Sequence, residues 1–389
     1  MKIAVFGARA IPSTYSGYET FLTALLPELV NRGHRVTMYC RTSGFGRPME
    51  HAGVRLVPLP TIDKTHLSTL SHGFVSSIVS RFGRYDVILV VNIANVPYCM
   101  LSRLTGQRVV LNTDGQEWLR GKWGWVGRAY FKWCARRARL AASALISDSC
   151  EMKRIYAAEF DSDSTVIPYA SVDWPTEDRA RILQDFGVAP RQFLIVAARL
   201  NPENNVDHIA DAYSRSSLSI PLLVLGVANY DSEPAKRIHA LAIRDDRIRP
   251  VGHVGDRAAF GVLLSQALAY VHGHSVGGMN PSLVEAMSAG ALTVALSTPF
   301  NREVLGETGL YFDLDGRSLV EAFDSLQQMD EVLHEKYRTL AAARATERYS
   351  LPAVASSYEL LLAKVAGLKS GWSRTHFLTP WDDLSDDGT

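Results

Sequence analysis

The chain predicts an α/β protein built as two doubly wound domains. Its 389 residues make two domains the expected number. Buried-strand runs repeatedly alternate with helical patterns, first from residue 2 and again from residue 193. Several of those strands end in glycine-bearing or polar loops, where open α/β sheets keep their ligands.

In order, residues 2–6 (KIAVF) read as a buried strand leading into Gly7. Tyr18, Phe21, Leu22, Leu25, Leu26, Leu29 and Val30 recur at helical spacing, and Gly33 stops that helix. Strands are expected at 36–40, 54–58, 86–91, 109–112, 144–147 and 165–167, with helices within 66–82 and near 96–105. Turn-rich residues 168–175 close the first domain, expected at 1–170. The second, 171–368, begins with a strand at 193–198. Strands near 221–225, 248–251, 268–272, 291–295 and 309–312 follow, and a helical pattern runs from about 316 to 368. A tail is expected at 369–389.

The first loop, GARAIPSTYSGYE, is not G-x-G-x-x-G. The second strand ends in Cys40-Arg41, with no acidic residue for a ribose. Dinucleotide binding therefore loses its two specific supports. Asp114 and Glu117 follow the 109–112 strand, in a favoured ligand position, although Asp-Gly is also ordinary turn chemistry. The stretch 272–290, HGHSVGGMNPSLVEAMSAG, stands out further. Gly277-Gly278 precedes Asn280 as N-cap and Pro281 at the first helical position, and Gly290 stops the helix. Free N–H groups and the positive dipole end would make an anion site there. His272 and His274 flank one glycine without an identifiable third ligand, so they read as packed or hydrogen-bonding histidines and no metal site is expected.

Composition narrows the class. Hydrophobic content of 47% with 21% charged residues suits a globular protein. The four cysteines, Cys40, Cys99, Cys134 and Cys150, form no C-x-x-C pair, which suits a reducing cytosol. Lys2 and Arg9 break up any signal-peptide pattern, and 87–102 is too short and polar to span a bilayer. Net charge is +1, but residues 1–170 carry 21 Lys/Arg and 12 Asp/Glu (+9), against 20 and 28 (−8) in the rest. A basic first half points to an anionic partner.

Four of the seven tryptophans, Trp118, Trp123, Trp125 and Trp133, fall within 16 residues. Arg128, Lys132, Arg136 and Arg139 form one helical stripe. Aromatics beside a basic stripe suit a membrane interface. Nucleic-acid binding and a packed helix with a solvated basic face are the rival readings.

Five ordered segments carry a resemblance: GARAIPSTYSGYETF, LNTDGQEWLRGKW, ARLNPENN, HGHSVGGMNPSLVEAMSAG and STPFNREVLGETGLYF. Together they make the chain resemble retaining glycosyltransferases of family 4, and within them the bacterial rhamnosyltransferase branch of polysaccharide assembly. The resemblance covers nearly all of residues 1–365. It implies the GT-B fold, two facing Rossmann-like domains with a cleft between them. It implies a nucleotide diphosphate sugar donor held by Gly277, Gly278, Met279 and Asn280, with Glu285 on the ribose and Arg199 on the diphosphate. Gly17 would face the donor from the first domain, and Asp114 would line the reacting centre.

Three departures are visible. Ser16 stands where relatives often have a glycine in the first-domain loop. Asn204 stands where the family often has a lysine on the diphosphate, and Arg302 is the candidate replacement. Gly277 stands where a carboxylate contacting the donor sugar is frequent. The implied reaction is retaining transfer of a sugar, rhamnose favoured, to a lipid-linked or oligosaccharide acceptor. The leaving phosphate takes the acceptor's proton, and no metal or other cofactor is needed. Glu117, Trp118, Arg128, Lys132 and Arg136 would meet a polyprenyl-diphosphate-linked acceptor and an anionic membrane surface. A cytoplasmic enzyme held peripherally on the inner membrane face is therefore expected, with no nucleic-acid partner. The alternatives are another GT-B enzyme such as a sugar-nucleotide epimerase, and a non-catalytic sugar-nucleotide-binding module.

Overall fold

The computed structural model describes residues 1–12, 17–42, 49–62, 64, 67–171, 173–175, 178–228 and 232–368. The expected tail and residues 13–16 of the first loop lie outside the described residues. The chain divides into two compact units. The first comprises Met1–Ala170, Gly277–Met279 and the chain from Leu351 on; the second comprises Ser171–Val276 and Asn280–Ser350. Both carry parallel sheets with helices, and the fold is GT-B.

In the first unit β1 (Lys2–Phe6) is buried at every residue but Lys2. It pairs in parallel with β2 (Arg35–Thr42) and β5 (Val87–Val91), which makes it an interior strand. The burial of successive residues shows both its faces covered, as its continuous apolar run requires. Between β1 and β2, α1 (Gly17–Asn31) buries Phe21, Leu22, Leu25, Leu26 and Leu29. A short edge strand, β3 (Met49–His51), forms an antiparallel hairpin with β4 (Val54–Pro60). Three residues without alternation give β3 no sequence signal. The remaining elements are α2 (Leu67–Ser80), α3 (Val96–Leu104), β6 (Val109–Asn112), α4 (Trp125–Ala141), β7 (Ala144–Ser147), α5 (Cys150–Phe160) and β8 (Thr165–Val166). The sheet order is β3-β4-β2-β1-β5-β6-β7-β8.

The second unit runs through α6 (Arg179–Asp185), β9 (Leu194–Ala197), α7 (Val206–Ser214), β10 (Leu222–Leu225), α8 (Glu233–Arg244), β11 (Ile248–Gly252), α9 (Arg257–Gln266) and β12 (Ala269–His272). It continues with α10 (Pro281–Ser288), β13 (Thr293–Leu296), α11 (Pro299–Leu305), β14 (Leu310–Phe312), α12 (Ser318–Gln328) and α13 (Glu331–Tyr349). Its sheet order is β11-β10-β9-β12-β13-β14. The chain winds outward from β9 in one direction and from β12 in the other. The β9/β12 boundary is thus the topological switch point, where a crevice opens at the carboxyl ends of the strands.

The single helical pattern expected from about 316 to 368 is three helices. Asp330 caps α13 by accepting from the Leu333 N–H, and Ser350 is extended ahead of Leu351-Pro352. The last helix, α14 (Leu351–Ala366), groups with the first unit, where the sequence expectation places it with the second domain. Arg32 and His34 both pair with Glu359, at 3.2 and 2.9 Å. Asn112 donates to the Tyr358 hydroxyl at 3.0 Å. These partners come from β6 and the α1–β2 connection, so side-chain chemistry decides where α14 docks.

Candidate functional site

In the second unit the residues just past β9 and β12 form one connected group. Arg199 follows β9 and is half-buried, and none of the described residues pairs with its guanidinium. A 3-10 turn, Pro202–Asn204, comes next. Asn204 donates to the Arg199 carbonyl at 2.6 Å and its Oδ1 accepts from His274 Nδ1 at 2.7 Å. Its amide is thus occupied within the protein, so Asn204 shapes this turn and is not placed as a free substitute for a lysine.

Beyond β12, the Asn280 side chain accepts from the Ser282 N–H at 3.0 Å and caps α10, with Pro281 in the first turn. Leu283, Val284, Ala286 and Met287 are buried, which fixes the helix on the sheet. Gly277 has φ +139°, a backbone only glycine adopts without strain. The carboxylate frequent in the family at this position would therefore be strained by the local backbone.

Glu285 is 6% exposed, and its Oε1 lies 3.1 Å from Arg257. Arg257 in turn lies over the Trp174 ring at 4.5 Å. Burial pushes the Glu285 carboxyl above its ordinary value, and Arg257 opposes that. His272 is buried, and burial holds its ring neutral, down to about 3. Its Nδ1 is 3.0 Å from the Tyr270 hydroxyl, which is 3.2 Å from Ser282 Oγ. Arg302 is exposed on α11, where it donates to Ser297 Oγ at 3.0 Å and stacks on Tyr311 at 4.3 Å. Those partners hold its guanidinium on α11.

In the first unit Gly17 is the first residue of α1. Asp114 follows β6 with φ +56°, and its N–H donates to Asn112 Oδ1 at 2.9 Å. Tyr169 donates to Asp114 Oδ1 at 3.3 Å. Burial and then the nearby Glu117 charge raise the Asp114 carboxyl. The Gly277–Met279 turn groups with this unit, and at Gly278 it leaves no space for a side chain. A Cβ on Gly278 would fall 2.1 Å from Asp148 Oδ2, and one on Gly115 would fall 2.4 Å from the Gly278 nitrogen.

Two residues expected at the surface are not there. Trp118 is 5% exposed, edge-on to Phe160 and Tyr156, and belongs to the core. Glu117 is 4% exposed, held by Arg120 at 2.6 Å, Lys122 at 3.2 Å and the Trp123 indole at 2.9 Å. Burial alone would raise its carboxyl, but Arg120 and Lys122 leave it lowered. It is a latch for the Trp-rich segment. Arg128, Lys132 and Arg136 are exposed on α4, and so are Trp125, Val126 and Trp133. Phe131, Cys134, Ala135 and Ala138 bury the opposite face.

Arg257, Trp174, Tyr270 and Tyr358 carry no spacing that would single them out in the sequence. Among the described residues no three His, Cys, Asp or Glu side chains group to hold a metal ion, and no helix is long and apolar enough to cross a membrane.

Comparison with known proteins gives the same architecture. Residues 16–170 match the glycosyl transferase 4-like domain, and residues 178–343 match glycosyl transferases group 1. The O-antigen chain mannosyltransferase B of Escherichia coli is 23% identical over 167 residues, which span 42% of this chain and 42% of that protein. Sucrose-phosphate synthase from Thermosynechococcus elongatus superposes with a TM-score of 0.79 at 16% identity, covering 94% of this chain and 99% of that one. Anabaena HepE, in complex with UDP-glucose, superposes with a TM-score of 0.72 at 16% identity, covering 94% and 100%.

Proposed function

Because the chain belongs to the GT-B glycosyltransferases, we propose that it transfers a sugar, with retention, from a nucleotide diphosphate sugar to a lipid-linked or oligosaccharide acceptor in cell-surface polysaccharide synthesis. A deoxysugar such as rhamnose is the favoured donor sugar. The observation that carries this reading is Arg199, a half-buried cation without a partner among the described residues, at the β9/β12 switch point.

Breaking the anomeric bond builds negative charge on the departing diphosphate. Arg199 would stabilise that charge, helped by the α10 dipole and the backbone N–H groups of Gly278, Met279 and Asn280. Glu285, held by Arg257, would accept the ribose hydroxyls. Asp114, whose carboxyl burial raises, would line the reacting centre and favour positive charge on the sugar once ionised. The departing phosphate oxygen takes the acceptor's proton, so the scheme uses neither an enzymatic nucleophile nor a metal.

The exposed face of α4 supports a peripheral membrane role, because Arg128, Lys132 and Arg136 run beside Trp125, Val126 and Trp133. Each Lys/Arg near an anionic surface contributes about 1 kcal/mol. A polyprenyl-diphosphate-linked acceptor would be met at such a surface, on the inner face of the membrane.

A thermal-shift screen of nucleotide diphosphate sugars tests the reading. Stabilisation by one of them, well above that by its free sugar, is expected. No stabilisation by any would overturn it.

A further inference from the structure

Glu203 is used by none of the steps above. It lies in the Pro202–Asn204 turn and is 6% exposed, yet neither carboxylate oxygen has a partner among the described residues. The Oδ1 of Asn201, 3% exposed, is unpartnered in the same way. So is the Nε2 of His272, at the end of neighbouring β12. The turn is stitched to the stretch after β12. Ser275 donates to the Glu203 carbonyl from both its N–H and its hydroxyl, each at 2.9 Å. Asn205 donates to the Gly273 carbonyl at 2.7 Å. A Cβ on Gly273 would fall 2.6 Å from the Asn204 carbonyl oxygen, so the two segments lie in contact.

A buried carboxylate with both oxygens open is costly unless a donor arrives to fill it. An anionic ligand group would be repelled by it. The diphosphate already has a partner of the right sign in Arg199, four residues earlier. The donor's neutral, hydroxyl-bearing portion is what remains, and sugar hydroxyls are hydrogen-bond donors matched to a carboxylate. Gly277 offers no side chain for this task. Resting on the donor reading given above, we propose that Glu203, with Asn201 beside it, recognises the hydroxyls of the donor sugar and sets which sugar is accepted.

The test compares nucleoside diphosphates with and without their sugar: UDP and UDP-glucose, GDP and GDP-mannose, dTDP and dTDP-rhamnose. Affinities are measured by calorimetry on the full chain and on Glu203→Gln. The variant is expected to weaken the preferred sugar conjugate about ten- to a hundredfold while binding the free diphosphate nearly unchanged. Its melting temperature without ligand should equal or exceed that of the unmodified chain, because an unfilled buried charge has been removed. An equal loss for conjugate and diphosphate, no loss for either, or a lower unliganded melting temperature would overturn the assignment. Failure of the unmodified chain to bind any of the six would instead overturn the donor reading, and the role of Glu203 with it.

Discussion

The Glu285 carboxylate sits 3.1 Å from the Arg257 guanidinium, and Arg257 is sandwiched against Trp174 at 4.5 Å. The pair joins α10 to the start of α9, so the proposed ribose carboxylate is held by a cation that the motif does not contain. Removing one partner leaves the other charge buried and uncompensated. Arg257→Met should therefore destabilise the protein by about 3 kcal/mol, measured by urea denaturation. The sign of its pH dependence follows from the raised Glu285 carboxyl. A carboxyl raised in the folded state contributes fully while protonated, and its contribution is lost as pH rises through the folded value. Without Arg257 that value rises further. The variant's deficit should then be larger at mildly alkaline than at mildly acidic pH, and Glu285→Gln in the same background should remove the difference.

Arg199 has no protein partner to lose among the described residues. Arg199→Ala should therefore leave the melting temperature nearly unchanged. Affinity for nucleoside diphosphate should fall by about 1.5–3 kcal/mol, the range for hydrogen bonds to a charged group. Scanning calorimetry reads the first quantity and isothermal titration calorimetry the second. A fall in stability with unchanged affinity would assign Arg199 to the scaffold.

Gly277 tests how far the site has departed from its relatives. Its φ of +139° penalises any side chain by about 1–3 kcal/mol. Gly277→Glu, which restores the carboxylate frequent in the family, should lower both stability and donor affinity. Improved turnover of any nucleotide sugar by that variant would show that the backbone can relax here.

The fold was legible where burial imposes a period or a continuous apolar run. β1, β5 and β6 are covered on both faces and show it, and the α1 stripe from Phe21 to Leu29 reads directly as a helix. The glycine turn and its helix were legible too, because Asn280, Pro281 and Gly290 each have a stereochemical reason for their positions. The docking of α14 was not. It depends on Tyr358 meeting Asn112 and on Glu359 meeting His34, pairs separated by more than 240 residues. Trp118 misled for a related reason. Composition marks a Trp-rich basic segment, but only tertiary packing decides that Trp118 turns onto Phe160 while Trp125 stays 82% exposed.

Tyr358 accepts from Asn112, and Asn112 accepts from the Asp114 N–H, so the last helix steadies the left-handed backbone of Asp114. Tyr358→Phe should cost about 1 kcal/mol of stability. The Asp114 carboxyl lies above its ordinary value, so it loses its charge at a higher pH than a solvated aspartate. On the proposed role, kcat/KM should fall on the acid side above the usual carboxylate range. Asp114→Asn should abolish that acid limb, while Tyr358→Phe should shift it. An acid limb that survives in Asp114→Asn belongs to another group.

The exposed face of α4 separates two contributions to membrane binding. Arg128, Lys132 and Arg136 supply charge, and Trp125 and Trp133 supply amphipathic rings suited to the headgroup layer. Neutralising the three cations should weaken sedimentation with anionic vesicles by about 3 kcal/mol in total, and added salt should mimic the change. Trp125→Ala with Trp133→Ala should weaken binding in a way that salt does not reproduce. Trp118→Ala belongs to a different class, because its ring packs on Phe160 and Tyr156. It should cost about 3–5 kcal/mol of folding stability without altering the salt dependence of vesicle binding. Equal sedimentation with neutral and anionic vesicles, unaffected by the triple neutralisation, would remove α4 from the membrane and leave its basic stripe as a solvated helix face.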